Sequence, residues 1–143
     1  MPNNQRRLPL AKPLFQRPSS QDPRRAIGDS GEAKAAAYLK TSVGLKIVET
    51  NWECSLGEID IIARDSHDTI VIVEVKTVTS DEDFGWEAIG PKKRQRLVRL
   101  AHCYLKANKL PLETSVRFDA VIVNATTQEV THEESAFWAD DGL

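Results

Sequence analysis

Residues 57–77, GEIDIIARDSHDTIVIVEVKT, are two apolar runs joined by Ser66, His67 and Asp68. Ile and Val dominate both runs and the short polar link is a turn, so the pattern predicts a hairpin of strands 58–65 and 69–77. Ile61, Ile62, Ile70, Val71, Ile72 and Val73 are almost uninterrupted, as in strands covered on both faces. Yet Glu58 and Asp60 open the first run, and Glu74 and Lys76 close the second. Side chains alternate along a strand, so Glu58 projects with Asp60 and Glu74 with Lys76. Pairing around the turn sets Asp60 at the level of Glu74 or Lys76. The charges converge at one end of the hairpin.

Upstream, residues 24–43 read as a helix ended by a left-handed cap at Gly44. Ala33, Ala37 and Ile27 form its apolar stripe with Leu39 nearby, and Glu32 lies beside that stripe. LKIVETNWEC, residues 45–54, supplies another strand, and Ser55, Leu56 and Gly57 turn it into the hairpin, giving a three-strand antiparallel meander. Downstream, the acidic loop VTSDEDFG is expected to be exposed. Pro91 opens a helix over 91–109, where proline is tolerated in the first turn. Its Leu97, Leu100, Ala101, Tyr104 and Leu105 fall at helical spacing and should pack on the sheet. Lys92, Lys93, Arg94, Arg96 and Arg99 crowd its first half, where cations oppose the helix dipole. Either they form a solvated face or they meet an external anion.

VRFDAVIVNA, residues 116–125, is a strand reached through a helix, so it can join the sheet in parallel. QEVTHEESAFW then gives a short edge element. The sum is an α/β fold, an α/β/α sandwich with a central mixed β-sheet flanked by helices. The expected organisation is a disordered basic, proline-containing tail over 1–24, one folded domain over 25–137 and a frayed end over 138–143.

The 143 residues, 41% hydrophobic and 28% charged, suit one soluble domain with a core of its own. No apolar run is long enough to span a bilayer and no apolar stretch follows the basic start, so neither a membrane partner nor a secretory signal is expected. The expected compartment is the cytoplasm. Cys54 and Cys103 are too far apart and too few for a disulfide framework or a zinc site and read as reduced, half-buried thiols. His67, His102 and His132 show no metal-ligand spacing and receive no role. Within residues 1–26, six Lys and Arg against Asp22 give +5, which leaves −7 of the net −2 for the remainder.

Carboxylates buried together repel one another unless a proton or a cation relieves them. Oxygen-only ligands suit a hard ion such as Mg2+ (or Mn2+), which commonly joins protein carboxylates to phosphate oxygens. Such an ion polarises a phosphodiester and acidifies a bound water; Lys76 would orient that water or offset charge on the phosphate. The plain alternative is a solvent-reaching Glu74–Lys76 pair worth little. What speaks for chemistry is the ordered set of a helical Glu32, Asp60 within GEID, VEVK on an apolar strand, and a basic helix.

In combination, the helical GE, the NW before GEIDIIA, then VIVEVKT, the lysine-rich helix start and VRFDAVIV resemble the YraN-like family of small bacterial proteins. The likeness spans about residues 26 to 137. It implies the restriction-endonuclease-like or PD-(D/E)XK fold, similar in layout to archaeal Holliday-junction resolvases. It makes Asp60 the acidic ligand, Glu74 and Lys76 the ExK half, and Glu32 the helical glutamate that some members add. Glu58 belongs to the GEID pattern, with ligation and a supporting or ion-pair role equally open. The strict PD is missing, because Ile59 precedes Asp60.

The first reading is therefore a metal-dependent nuclease acting on DNA, branched or structured DNA included. Asp60, Glu74 and Lys76 are its catalytic residues; Asp60, Glu74 and Glu32 hold the metal; Lys92, Lys93, Arg94 and Arg96 contact nucleic-acid phosphates. A rival is a non-catalytic nucleic-acid-binding or adapter protein that retains the fold. A third is an interaction module whose charges form a network around Lys76. The expected assembly is a monomer or weak homodimer, with Phe84 and Trp86 either making a contact or capping the core.

Overall fold

The computed structural model describes residues 23–80 and 89–139. Residues 1–22 of the expected tail, Phe84 and Trp86, and residues 140–143 of the expected frayed end lie outside the described residues, whereas Pro23 and Arg24, expected in the tail, open the first helix. Helix α1 (Pro23–Tyr38) continues into a π-helical turn (Leu39–Val43), followed by β1 (Lys46–Cys54), β2 (Gly57–Arg64) and β3 (Ile70–Val78). Helix α2 (Pro91–Ala107), β4 (Val116–Asn124) and β5 (Val130–Phe137) complete the order. The sheet runs β1-β2-β3-β4-β5. β1 to β3 form the expected antiparallel meander, β4 joins β3 in parallel after the α2 crossover, and β5 returns antiparallel on the far edge. No described helix is long and apolar enough to cross a membrane.

Each sheet face carries its own apolar layer. Under α1 lie small and branched side chains: Ala35 and Leu39 meet Ile61, Ala63, Val71, Val73, Val121 and Val123. Under α2 the layer is larger, with Leu97, Leu100, Ala101, Tyr104 and Leu105 buried against Ile59, Ile62, Ile70, Ile72 and Phe118. The apolar positions expected on α2 are thus the ones it buries. Trp52 and Tyr104 meet edge to face, with ring centroids 5.4 Å apart. This is the α/β/α sandwich with a central mixed sheet that the sequence implies.

Two local expectations are corrected. Ala33 and Ala37 are exposed and Ile27 is 41% exposed, so the buried row of α1 is instead Gly31, Ala35 and Leu39. Close approach sets that phase: a Cβ on Gly31 would lie 2.0 Å from Thr77 Oγ1 and 3.2 Å from Thr77 Cβ. Only glycine lets the helix rest on β3 there. The terminal segment, expected as a short edge element, is the eight-residue strand β5, held at its bulge by a buried aspartate of β4 described below.

The contact predicts opposite signs for two glycines of one helix. A methyl group on Gly28 would meet nothing within 4 Å, so Gly28→Ala should gain up to about 1 kcal/mol of helix propensity. Gly31→Ala should instead lose about 1–3 kcal/mol through overpacking, and Thr77→Ala should recover part of that loss. Urea denaturation of the two single variants and the double variant tests this. Equal effects at Gly28 and Gly31 would refute the close-approach explanation.

Candidate functional site

The β2–β3 ladder pairs Ile61 through Arg64 with Val73 through Ile70 and extends no further toward the start of β2. Ile59 packs in the α2 layer and Ile61 in the α1 layer, although residues two apart on a regular strand share a face. Alternation therefore breaks at Asp60, where the strands part. The Val75 N–H donates to Asp60 Oδ2 at 2.8 Å, so a carboxylate stands in for the missing ladder acceptor. With Ile61 opposite Val73, Asp60 stands at the level of Glu74.

Glu32 of α1 and Glu58 and Asp60 of β2 each bring one carboxylate oxygen within 4.8 Å of the others, and all three residues are half-buried. Seating Gly31 on Thr77 carries Glu32 to this group. Asn51 of β1, at φ 53° in the left-handed region that asparagine tolerates, lies between two of the acids. With its NH2 turned toward them, its nitrogen is 2.8 Å from both Glu58 Oε1 and Glu32 Oε2. It ties helix to strand.

Asp60 is electrostatically out of balance. Burial first, then the charges of Glu74, Glu32 and Glu58, raise its pKa from 3.8 to about 8, against the lowering effect of the Val75 N–H. Near neutral pH the metal-free carboxyl therefore keeps its proton. A compact all-oxygen donor set with excess negative charge fits a hard divalent ion better than a soft one.

Glu74, 9% exposed, acts on Asp60 more strongly than either other glutamate but stands outside the group of three. Its Oε1 meets Lys93 Nζ of α2 at 2.5 Å. Lys76 is half-buried, two residues further along the same strand. The basic helix divides. Lys93 is spent on Glu74, and Arg94 donates from Nε to Ile89 O at 2.8 Å with its guanidinium 5.6 Å from the centre of the Phe137 ring. Lys92 and Arg96 are exposed.

Three arrangements escaped the sequence. The Asn51 amide is one, although the NW dipeptide was part of the resemblance. A second is Asp119, fully buried on β4, which accepts from Arg117 Nε and Nη2 at 2.9 and 3.0 Å, from the Ser135 N–H at 3.0 Å, and bonds His132 Nε2 at 2.8 Å. Burial raises its pKa, but His132, Arg117 and the Ser135 N–H together hold it below the usual aspartate value. The signal was present, since a lone aspartate interrupts the apolar run VRFDAVIV just as Asp60 interrupts GEIDIIA. The third is a thiol pair: burial, then the charge and hydrogen bond of Cys54, raise the pKa of the Cys103 thiol. Both cysteines are free and half-buried.

A cavity of about 260 Å3 lined by Ile27, Ser30, Gly31, Lys34, Thr77, Ala125 and Gln128 adjoins α1 but includes none of these carboxylates.

Comparison with known proteins places this sequence in a family. The profile described as "Uncharacterised protein family UPF0102" matches residues 31–123. A UPF0102 protein of Chloroflexus aurantiacus is 45% identical over 103 residues, covering 72% of this chain and 82% of its own length. One from Desulfitobacterium hafniense is 41% identical over 107 residues, covering 74% and 87%; one from Syntrophus aciditrophicus is 46% identical over 99 residues, covering 68% and 75%. Among solved structures, a repair endonuclease from Pyrococcus abyssi is similar at a TM-score of 0.38 and 18% identity, over 65% of this chain and 38% of that one. The structure titled SSO0001 is similar at 0.43 and 20%, over 79% and 52%. At such TM-scores neither bears on function.

Proposed function

This chain belongs to the uncharacterised protein family UPF0102, and we propose that it is a divalent-metal-dependent nuclease hydrolysing phosphodiester bonds of DNA, branched or structured DNA included. The observation that carries the reading is Asp60. Of the two aspartates at breaks in the sheet, the buried Asp119 is compensated by Arg117 and His132, whereas the charge effects on the half-buried Asp60 come from three carboxylates. A fold that gathers the carboxylates of Glu32, Glu58 and Asp60 within 4.8 Å of one another gains most from a bound cation.

In this reading Asp60, Glu58 and Glu32 would hold Mg2+ or Mn2+, with Glu74, here paired to Lys93, as a further candidate ligand. The bound ion supplies Lewis-acid stabilisation of phosphate oxygens and a more acidic water. The protein's own part is positional. The Val75 N–H fixes one Asp60 oxygen and leaves the other for the ion, Asn51 holds Glu32 and Glu58 in register, and Lys76 orients the attacking water or offsets charge on the phosphate. The Glu74–Lys93 pair favours the second reading, a non-catalytic nucleic-acid-binding or adapter protein, because it already neutralises one expected ligand.

Purified full-length chain incubated with duplex, single-stranded and four-way-junction DNA decides between them. Mg2+- or Mn2+-dependent cleavage that Asp60→Asn abolishes supports the nuclease. DNA binding with no cleavage of any of the three substrates in either metal would leave the adapter.

A further inference from the structure

The sequence puts the cations of α2 in one block, but the fold sorts them. Lys93 and Arg94 are engaged inward, while Lys92, Arg96, Arg99 and Lys106 are all exposed. Steps of four, three and seven residues keep these four on one side of an α-helix, and at 1.5 Å per residue they span about 21 Å. The helix PKKRQRLVRLAHCYLKA contains no acidic residue to offset them. Among the described residues none of the four takes part in an ion pair. Lys92 in the first turn opposes the dipole, and the row has no acid on its own helix, so an anion from outside eases the arrangement.

We propose that this outer face of α2 is a track for the phosphate backbone of a double-helical nucleic acid, gripped by Lys92, Arg96, Arg99 and Lys106. The track names the partner of the nuclease reading and rests on that reading only for its link to the carboxylates. The link is short. Lys93, next to Lys92, bonds Glu74, and Arg96 Cδ lies 4.0 Å from the point a side chain on Gly57 would occupy, beside Glu58.

The chemistry selects among polyanions. An anionic membrane is disfavoured because the apolar face of α2 is consumed by the core, with Leu97, Leu100 and Leu105 each at most 1% exposed, so nothing is left to insert. A single strand is disfavoured because its grip relies on aromatic stacking, and of the two rings on this helix Tyr104 is 4% exposed and turned against Trp52, which leaves only the small His102 imidazole exposed. A duplex needs only regularly placed cations. Four phosphate contacts give a slope of log K against log salt of about −3.6.

The test is fluorescence anisotropy of a duplex of about 20 base pairs in EDTA across a salt series, using the full chain. Arg99→Glu with Lys106→Glu should weaken binding about tenfold or more and flatten the slope by about 2. Lys40→Glu with Lys46→Glu, equally exposed and equal in charge change, should do neither. Equal weakening by both pairs, no weakening by the first, or polyglutamate competing as well as duplex would overturn the track. A single strand of equal length bound as tightly, and lost as fully in the first pair, would overturn the double-helical partner. Manganese titration of the same proteins separates the two proposals. Intact metal binding with no effect of the first pair refutes the track alone; a working track in a chain that binds no manganese refutes the nuclease and leaves the track standing.

Discussion

Asp60→Asn is expected to stabilise the metal-free protein at pH 8 while removing its response to divalent ions. The sign follows from the direction of the shift. Below pH 3.8 the carboxyl is protonated in folded and unfolded chains alike; between 3.8 and about 8 the unfolded chain has released a proton that the folded one retains. Stability therefore falls as pH rises through that window, by at most about 1.4 kcal/mol per unit, and the loss is complete above pH 8. Asparagine carries no charge and still offers an oxygen to the Val75 N–H, so the variant escapes the penalty. The gap at pH 8 should be on the order of 4 kcal/mol in favour of the variant. Asp65 and Asp119 shift downward instead, so their stabilisation is present above pH 3.8 and lost as pH falls through their lowered values. They leave the window clear. Urea denaturation in EDTA at pH 5 and pH 8 reads the difference, and parallel behaviour of the two proteins over that range would sink the claim.

The same proton links metal binding to pH. A cation needs the carboxylate, so ion binding below pH 8 releases up to one proton from Asp60, and affinity should rise about tenfold per pH unit until that point. Calorimetric titration with manganese in two buffers of different ionisation heat measures the release directly. Asp60→Asn should bind far more weakly, release no proton, and lose cleavage by about a thousandfold, near 4 kcal/mol of barrier. Unchanged manganese affinity in the variant would remove Asp60 from the site.

The antiparallel meander, the mixed sheet between helices and the convergence of Asp60 with Glu74 or Lys76 are legible because hydrophobic alternation and turn residues are local signals. What stayed hidden lies where the ladder breaks. At Asp60 the β2–β3 pairing ends, and at Asp119 the register between β4 and β5 shifts between Phe118 and Ala120, with Ser135 at φ 53°. In both places an aspartate oxygen accepts a backbone N–H at 2.8 to 3.0 Å. A period-two pattern assumes that the ladder continues, so it cannot show which aspartate fills a gap. The phase of α1 is hidden for a related reason: propensity favours its alanines, but the surface of Thr77 decides which side is buried. The sequence leaves Glu58 between ligation and support because its neighbours, Glu32 and Asn51, arrive from distant segments.

Asp119→Ala is expected to be the most destabilising single change outside the apolar core, at about 3–5 kcal/mol, because it removes the buried carboxylate at the centre of the Arg117 and His132 network. Arg117 has a side chain only 14% exposed, and it also reaches Asp65 at 3.3 Å and Glu134 at 2.9 Å. Those contacts join the end of β2 to β4 and β5, with Asp119 at the centre. Removing it leaves the guanidinium, His132 and the Ser135 N–H without their shared acceptor. A His–Asp pair invites a catalytic interpretation, but both Asp119 oxygens are occupied and the His132 side chain is 9% exposed. Its work is to hold the edge strand. Arg117→Met combined with Asp119→Leu should accordingly recover much of the loss, since a matched apolar pair replaces the buried ions. Chemical denaturation gives the energies, and manganese titration of the double variant gives the control, which should match the unsubstituted protein. A loss below about 1 kcal/mol for Asp119→Ala would mean that the network is solvated like a surface pair, and failure of the double variant to bind manganese would tie this edge to the metal site after all.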